Sequence, residues 1–254
     1  VDDLEIRAKG GEWLDTPNPV PTAKPTFFED FSSPTLDKNK WLIANKAWGG
    51  ANGGVVPENV SIANGVAKLQ ANGDRYTGSV NGLGGRKTRV GSSLVTRDYY
   101  ASGKYEVRAK VPRTLGACTA FWSYHYIEYT PSQPEYWQEP NRIRNSEIDW
   151  EFPTAADDGS PNDGVTFDKA RANSWGGKFG GEGGNVSLRP NIGQLIGDGN
   201  FHTYTYEWHS GAATTTPYIA WSIDGTQVAR YTGATYGQDN VPFRASRFWL
   251  GIWF

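Results

Sequence analysis

The sequence predicts an all-β, antiparallel sandwich, and three observations carry that prediction. Short segments alternate polar and apolar residues at period two. Turn signals separate them at regular intervals. No amphipathic helix of normal length and no internal repeat interrupts the pattern. Composition agrees, since 31 glycines, 11 tryptophans and 13 tyrosines in 254 residues suit many strands joined by tight turns. The length suits one large domain with a substantial core.

Taken in order, residues 1–25 read as an irregular N-terminal arm. Thr16-Pro17-Asn18-Pro19-Val20-Pro21 cannot hold a central strand, because proline lacks the ladder donor. The sandwich is expected over 26–254. Phe27, Phe28 and Phe31 suggest a short aromatic strand. Val60-Ser61-Ile62 and Val66-Ala67-Lys68-Leu69-Gln70 bracket Asn64-Gly65, a hairpin turn signal. Ser93–Thr96 and Gly103–Val111 alternate, the second most cleanly. Ala117–Tyr129 is a continuous apolar and aromatic run, as in a central buried strand. Polar loops follow at Thr130–Asn145 and Ala155–Gly164. The later strands are Thr203–Trp208, Tyr218–Ile223, Val228–Tyr231 and Arg247–Phe254, with Asp224-Gly225 turning the hairpin between two of them.

The run Ser146-Glu147-Ile148-Asp149-Trp150-Glu151-Phe152 is the most informative. Alternation on a strand puts Glu147, Asp149 and Glu151 on one face and Ile148, Trp150 and Phe152 in the core behind them. Three acids side by side on a half-buried strand repel one another. Folding gains nothing from that arrangement, so it points to chemistry. Residues i and i+4 on a strand have Cα atoms about 13 Å apart. Glutamate side chains leaning together shorten that toward the roughly 5–5.5 Å of a retaining glycosidase, but the roughly 6.5–9.5 Å of an inverting one stays open.

The remaining features narrow the function classes. With 25 basic and 27 acidic residues, there is no basic surplus for nucleic acid or an anionic membrane. No apolar stretch is long enough to span a bilayer and no signal-peptide pattern opens the chain. Starting at Val1 and lacking methionine, the sequence reads equally as a trimmed, exported protein or as a chain freed from a tag. The single cysteine, Cys118, excludes an internal disulfide and a cysteine-cluster metal site and is expected to be a buried, inert thiol. His125, His202 and His209 lack metal-ligand spacing, so no catalytic metal is expected. Ser123 and Ser146 lack a nucleophile elbow. Abundant Trp and Tyr suit a carbohydrate cleft, where sugar C–H faces stack on aromatic rings.

Several blocks, in this order, resemble glycoside hydrolase family 16. They are Gly103–Lys110, then Gly116 with Ala120-Phe121-Trp122, the acid run, Asn200–Trp208, and Trp221-Ser222-Ile223-Asp224-Gly225. The resemblance covers about 26–254 and implies a β-jelly-roll sandwich with a substrate cleft on its concave face. It makes Glu147 the nucleophile and Glu151 the general acid/base, acting with retention. Asp149 assists them, and with Glu147 it raises the pKa of Glu151. The acids lack the extra residue that some members carry as a β-bulge, so the chain resembles the bulge-free branch with lichenases, xyloglucan-active enzymes, galactanase-like members and cell-wall transglycosylases.

The reading is therefore a secreted, extracellular or periplasmic endo-acting hydrolase of β-1,3 or β-1,4 linkages in a glucan or galactan. The alternatives are a transglycosylase, in which a sugar hydroxyl intercepts the Glu147 intermediate, and a lectin on the same sandwich, against which the intact acids argue. Expected substrate contacts are Trp122, Trp137, Trp175, Asn173, His125 and Arg144, with Arg142 also flanking the acid run. No cofactor is required, and a structural Ca²⁺, frequent in the family, remains open because backbone carbonyls can supply its ligands. The partner is a polysaccharide, with no nucleic acid and no membrane span. The family closes its sandwich with one more strand, whereas this chain stops inside the apolar run Trp249–Phe254. A buried final strand with an open edge is sticky. The protein is thus expected to continue, or a second chain or segment to supply the missing strand; otherwise it is a monomer.

Overall fold

The computed structural model describes residues 3–7, 26–47, 54–79, 90–137, 143–154, 167–175, 185–211, 216–236, 241–242 and 244–254. Fourteen strands among them make two seven-stranded antiparallel sheets. The first sheet runs β13(Thr226–Thr232), β12(Tyr218–Ile223), β11(His202–His209), β6(Gly103–Lys110), β1(Asp3–Arg7), β4(Val66–Gln70), β3(Val60–Ala63). The second runs β10(Asn185–Leu188), β9(Arg171–Trp175), β8(Ile143–Pro153), β7(Cys118–Glu128), β14(Arg247–Trp253), β5(Ser92–Thr96), β2(Trp41–Ile43). One four-residue helix, α1(Gly233–Tyr236), follows β13.

Alternation builds the core between the sheets. Tyr204, Tyr206 and Trp208 of β11 and Ile219, Trp221 and Ile223 of β12 meet Ile148, Trp150 and Phe152 of β8 and Phe248, Leu250 and Ile252 of β14. Aromatic edges interlock there: Phe152 meets Tyr204 at 4.8 Å and Phe121 at 5.8 Å, both T-shaped. Both predicted hairpins form as two-residue loops with left-handed backbone, at Asn64-Gly65 (φ 52° and 70°) and Asp224-Gly225 (φ 49° and 80°). That conformation matches the twist of the flanking strands.

The structure departs from the sequence reading in three places. Phe27, Phe28 and Phe31 form no strand, and Phe31 has φ 51°. Instead Phe27 meets Trp41 edge-on at 5.2 Å and Phe31 stacks on it at 6.2 Å, anchoring the chain onto β2. Residues 1–25 are not wholly irregular, because Asp3–Arg7 forms β1 between β4 and β6. The register explains this. Leu4 and Ile6 fall in rows with Leu69, Ala67 and Ala109, while Glu5 falls opposite Lys68 and Lys110. The predicted proline break at 16–21 lies outside the described residues, as does the 155–164 loop.

The third departure concerns β14. It pairs with β7 on one side and β5 on the other. The open edge that led the sequence reading to expect a missing strand or a second chain is therefore absent: β5, from much earlier in the chain, already fills it. Backbones crowd here, because a Cβ on Gly91 would lie 1.9 Å from the Ile252 carbonyl oxygen.

Candidate active site

Strand β8 is held by its apolar face. Ile148, Trp150 and Phe152 are at most 1% exposed. From the opposite sheet Trp221 donates its indole N–H to the Asp149 carbonyl oxygen at 3.0 Å. The β7–β8 register then runs without a shift from Cys118–Pro153 to Glu128–Ile143. With no bulge, Glu147, Asp149 and Glu151 keep a single face.

The neighbours on that face follow from register. Tyr124 and Trp175 flank Glu147, Trp122 and Asn173 flank Asp149, and Ala120 and Arg171 flank Glu151. Each acid has its own donors. Asn145 Nδ2 donates to Glu147 Oε2 at 3.2 Å. Trp175 Nε1 donates to Asp149 Oδ2 at 3.0 Å. Asn173 Nδ2 donates to Glu151 Oε2 at 2.8 Å, and the Cys118 thiol lies 3.9 Å from Glu151 Oε1.

Burial is the main cause that pushes all three carboxyls up. It takes Glu147 to about 7 against the Asn145 hydrogen bond, with the charge of Glu151 adding to it. Asp149 is raised well above its usual range, by burial and then by both glutamates. Glu151 is raised by burial, but Arg171, Asn173 and Cys118 hold it down. The sequence reading made the two other acids the cause of the Glu151 shift. In the structure burial is its largest cause, and the charge of Arg171 with the Asn173 and Cys118 hydrogen bonds opposes it. Protons distributed over such a row belong to the set rather than to one residue.

The expected substrate-contact residues divide. Asn173 and Trp175 join the acid row, as hydrogen-bond donors to its carboxylates. Trp122 is beside Asp149 but only 6% exposed; its indole stacks on Trp249 at 5.5 Å and meets Trp253 edge-on at 5.2 Å. It therefore builds the floor rather than offering a free sugar face. His125 falls on the opposite face of β7 from Tyr124, with Nδ1 against the Ala245 carbonyl at 2.8 Å and its ring 5.2 Å from Tyr99. That alternation takes it away from the acids. Trp137 is 71% exposed on a 3₁₀ turn, donating to the Pro131 carbonyl at 3.1 Å. Arg142 and the side chain of Arg144 lie outside the described residues.

Sequence reasoning missed Tyr124, Asn145, Arg171 and Cys118. The i−2 spacing from Glu147 was a signal for Asn145. Tyr124 and Cys118 share parity with Trp122, which was a signal for both. Arg171 needed the β8–β9 register. Among the described residues no three His, Cys, Asp or Glu side chains gather in a metal-holding group. No helix among them is long and apolar enough to cross a membrane.

An antiparallel two-sheet sandwich with a row of three carboxyls on one face has the build of a jelly-roll glycoside hydrolase. The family described as glycosyl hydrolases family 16 matches residues 55–254, and the chain belongs to it. A curated relative, a beta-glucanase of Acetivibrio thermocellus, is 27% identical over 229 residues, covering 89% of this chain and 52% of that protein. The chain thus spans about half the length of the curated relatives it matches. Among solved structures, a β-1,3-1,4-glucanase (lichenase) from a mouse hindgut metagenome superposes with TM-score 0.59 at 22% identity, covering 89% of this chain and 84% of that one. The catalytic domain of an endo-1,3-β-glucanase (laminarinase) from Thermotoga petrophila gives 0.63 at 17% identity, with the same coverage. These structures share the jelly-roll fold.

Proposed function

We propose that the protein is an exported, endo-acting glycoside hydrolase that cleaves internal β-1,3 or β-1,4 linkages of a glucan with retention. The row of three carboxyls on one face, Asp149 buried between half-buried Glu147 and Glu151, carries this reading. Family membership and the curated beta-glucanase relative support the substrate class. Export fits a β-glucan met outside the cell, in walls or in the surroundings.

In this reading Glu147, ionised, attacks the anomeric carbon and forms a glycosyl-enzyme. Glu151 gives its proton to the departing glycosidic oxygen, then takes one from the incoming water. Asp149 keeps its proton or its hydrogen bond next to both glutamates and lets charge move along the row. Half-buried Trp175 and Tyr124, flanking Glu147, border the sugar bound there. The order of roles rests on the family resemblance.

The test is release of reducing ends from laminarin and mixed-linkage glucan, followed by azide rescue of two variants. Glu147→Gln and Glu151→Gln each lose at least about a thousandfold in kcat. Azide replaces the nucleophile in the first, giving an α-glycosyl azide. In the second it intercepts the glycosyl-enzyme, giving a β-glycosyl azide. Products in the opposite order would exchange the two roles, and full activity in Glu147→Gln would sink the reading.

A further inference from the structure

Glu151 is contacted at both oxygens, with the charge of Arg171 beside it, and one of these neighbours is an unusual one. Asn173 donates to Oε2 at 2.8 Å from β9, and on β7 the thiol of Cys118 sits 3.9 Å from Oε1 and 3.7 Å from the Thr119 carbonyl oxygen; its one proton serves one of them at a time, and an ionised carboxylate is the stronger acceptor. Register explains how the thiol reaches it. The residue directly opposite Glu151 is Ala120, and Cys118 is the next residue on the same face, opposite Pro153 and Trp253. The small Ala120 side chain lets the carboxyl lean across toward sulfur. Cys118 is half-buried on this acid-bearing face, not sealed in the core.

We propose that Cys118 is a positioning residue for the reaction: its S–H donates to Glu151 Oε1 and, with Asn173 on Oε2, fixes the plane of the acid/base carboxyl. A carboxyl tied at one oxygen swings about that bond. One tied at two presents the same edge to the glycosidic oxygen at each turnover. The thiol can serve only as a donor while it keeps its proton. Burial, then the charges of Glu151 and Asp149, raise it well above the ordinary cysteine range and outweigh Arg171, so it stays S–H. The sulfur therefore acts through Glu151 and forms no bond to substrate.

This inference rests on the glycosidase reading, and its test separates the two. Cys118→Ala removes the donor, and Cys118→Ser keeps one. Melting temperatures of both establish that they are folded. In Cys118→Ala, kcat falls roughly tenfold, about the rate equivalent of one hydrogen bond, with KM unchanged. Without that donor the ionised form of Glu151 loses a partner, so the basic limb of the pH profile moves to higher pH. Cys118→Ser keeps kcat and limb closer to those of the parent protein. A Cys118→Ala protein with unchanged kcat and a superimposable profile overturns the proposal.

A second readout needs no turnover. Iodoacetamide alkylation of Cys118 is followed against pH in the parent protein and in Glu151→Gln. Loss of the carboxylate charge frees the thiol to ionise, so alkylation of the folded variant is faster at a given pH. Equal rates overturn the contact even if every glucan proves inert, whereas faster alkylation with no activity leaves the contact standing and removes the glycosidase reading instead.

Discussion

Two acidic clusters in this molecule are built in opposite ways. On β8, Glu147, Asp149 and Glu151 share one face, and burial raises all three. At the start of β11 in the first sheet, Asp198 and Asp224 close on His202 from either side. Nε2 lies 2.9 Å from Asp198 and Nδ1 2.6 Å from Asp224. Asn200 also donates to Asp198, and the Thr203 N–H donates to Asp224. Burial lowers the His202 pKa, but the two carboxylates outweigh it and the net direction is up. Asp198 moves down, its hydrogen bonds from Asn200 and His202 outweighing burial. The comparison teaches how to tell a working acid from a structural one. The clamp sets one imidazole between two carboxylates that also take hydrogen bonds from Asn200 and the Thr203 N–H, so every acid in it has a partner. The β8 row holds carboxyls under strain, and a strained titrating group is available for chemistry.

The largest effect that sharpens this contrast is in the pH dependence of activity. In the proposed mechanism Glu147 must be ionised to attack, and its carboxyl is pushed up to about 7. The acidic limb of kcat/KM is therefore expected near that pH, with activity falling roughly tenfold per unit below it. A plateau reaching down to pH 5 would break the claim that burial strains this group.

The next effect is on stability. A carboxyl raised from 4.5 to about 7 in the fold stays protonated where the unfolded chain has already ionised. The folded state then binds more protons, so stability falls as pH rises through that window and the full penalty is present above it. Glu147→Gln is expected to stabilise the protein by on the order of 1–3 kcal/mol at pH 8. The gain vanishes at pH 4, as thermal unfolding at the two pH values would reveal. No difference between them would mean that the row is unstrained.

The smallest effect has the reverse sign. A histidine raised above its ordinary value contributes stability that is complete below about 6.5 and is lost as pH rises through its raised value. His202→Gln is expected to cost about 1 kcal/mol at pH 6 and less at pH 9. A cost that grows with pH would show that the clamp does not depend on the imidazolium.

The acid row was legible because alternation is a local property. Ile148, Trp150 and Phe152 needed the core, and the acids between them had to take the other face. Both hairpins were legible for the same reason, since Asn-Gly and Asp-Gly accept left-handed backbone. The clamp was not legible: Asp198 and Asp224 lie on separate turns that only the pairing of β11 with β12 brings to His202, the first residue of β11. The short strands β1, β2 and β10 were missed as well, because no tight-turn signal of the kind that marks β3 and β4 brackets their three to five residues.

What the sequence determined by itself was the sandwich class, its principal strands, its tight turns and the face on which three acids stand. Each depends on residues close together in the chain, and the period of a strand is fixed by backbone geometry. What the tertiary structure decided was every pairing across sequence distance. It set β14 between β7 and β5, drew Asp3–Arg7 into the first sheet, gave the faces of Trp122 to its tryptophan neighbours and brought Asn173 and Cys118 to the two oxygens of Glu151. Those contacts depend on register between strands far apart in the chain, and no short segment specifies a register alone.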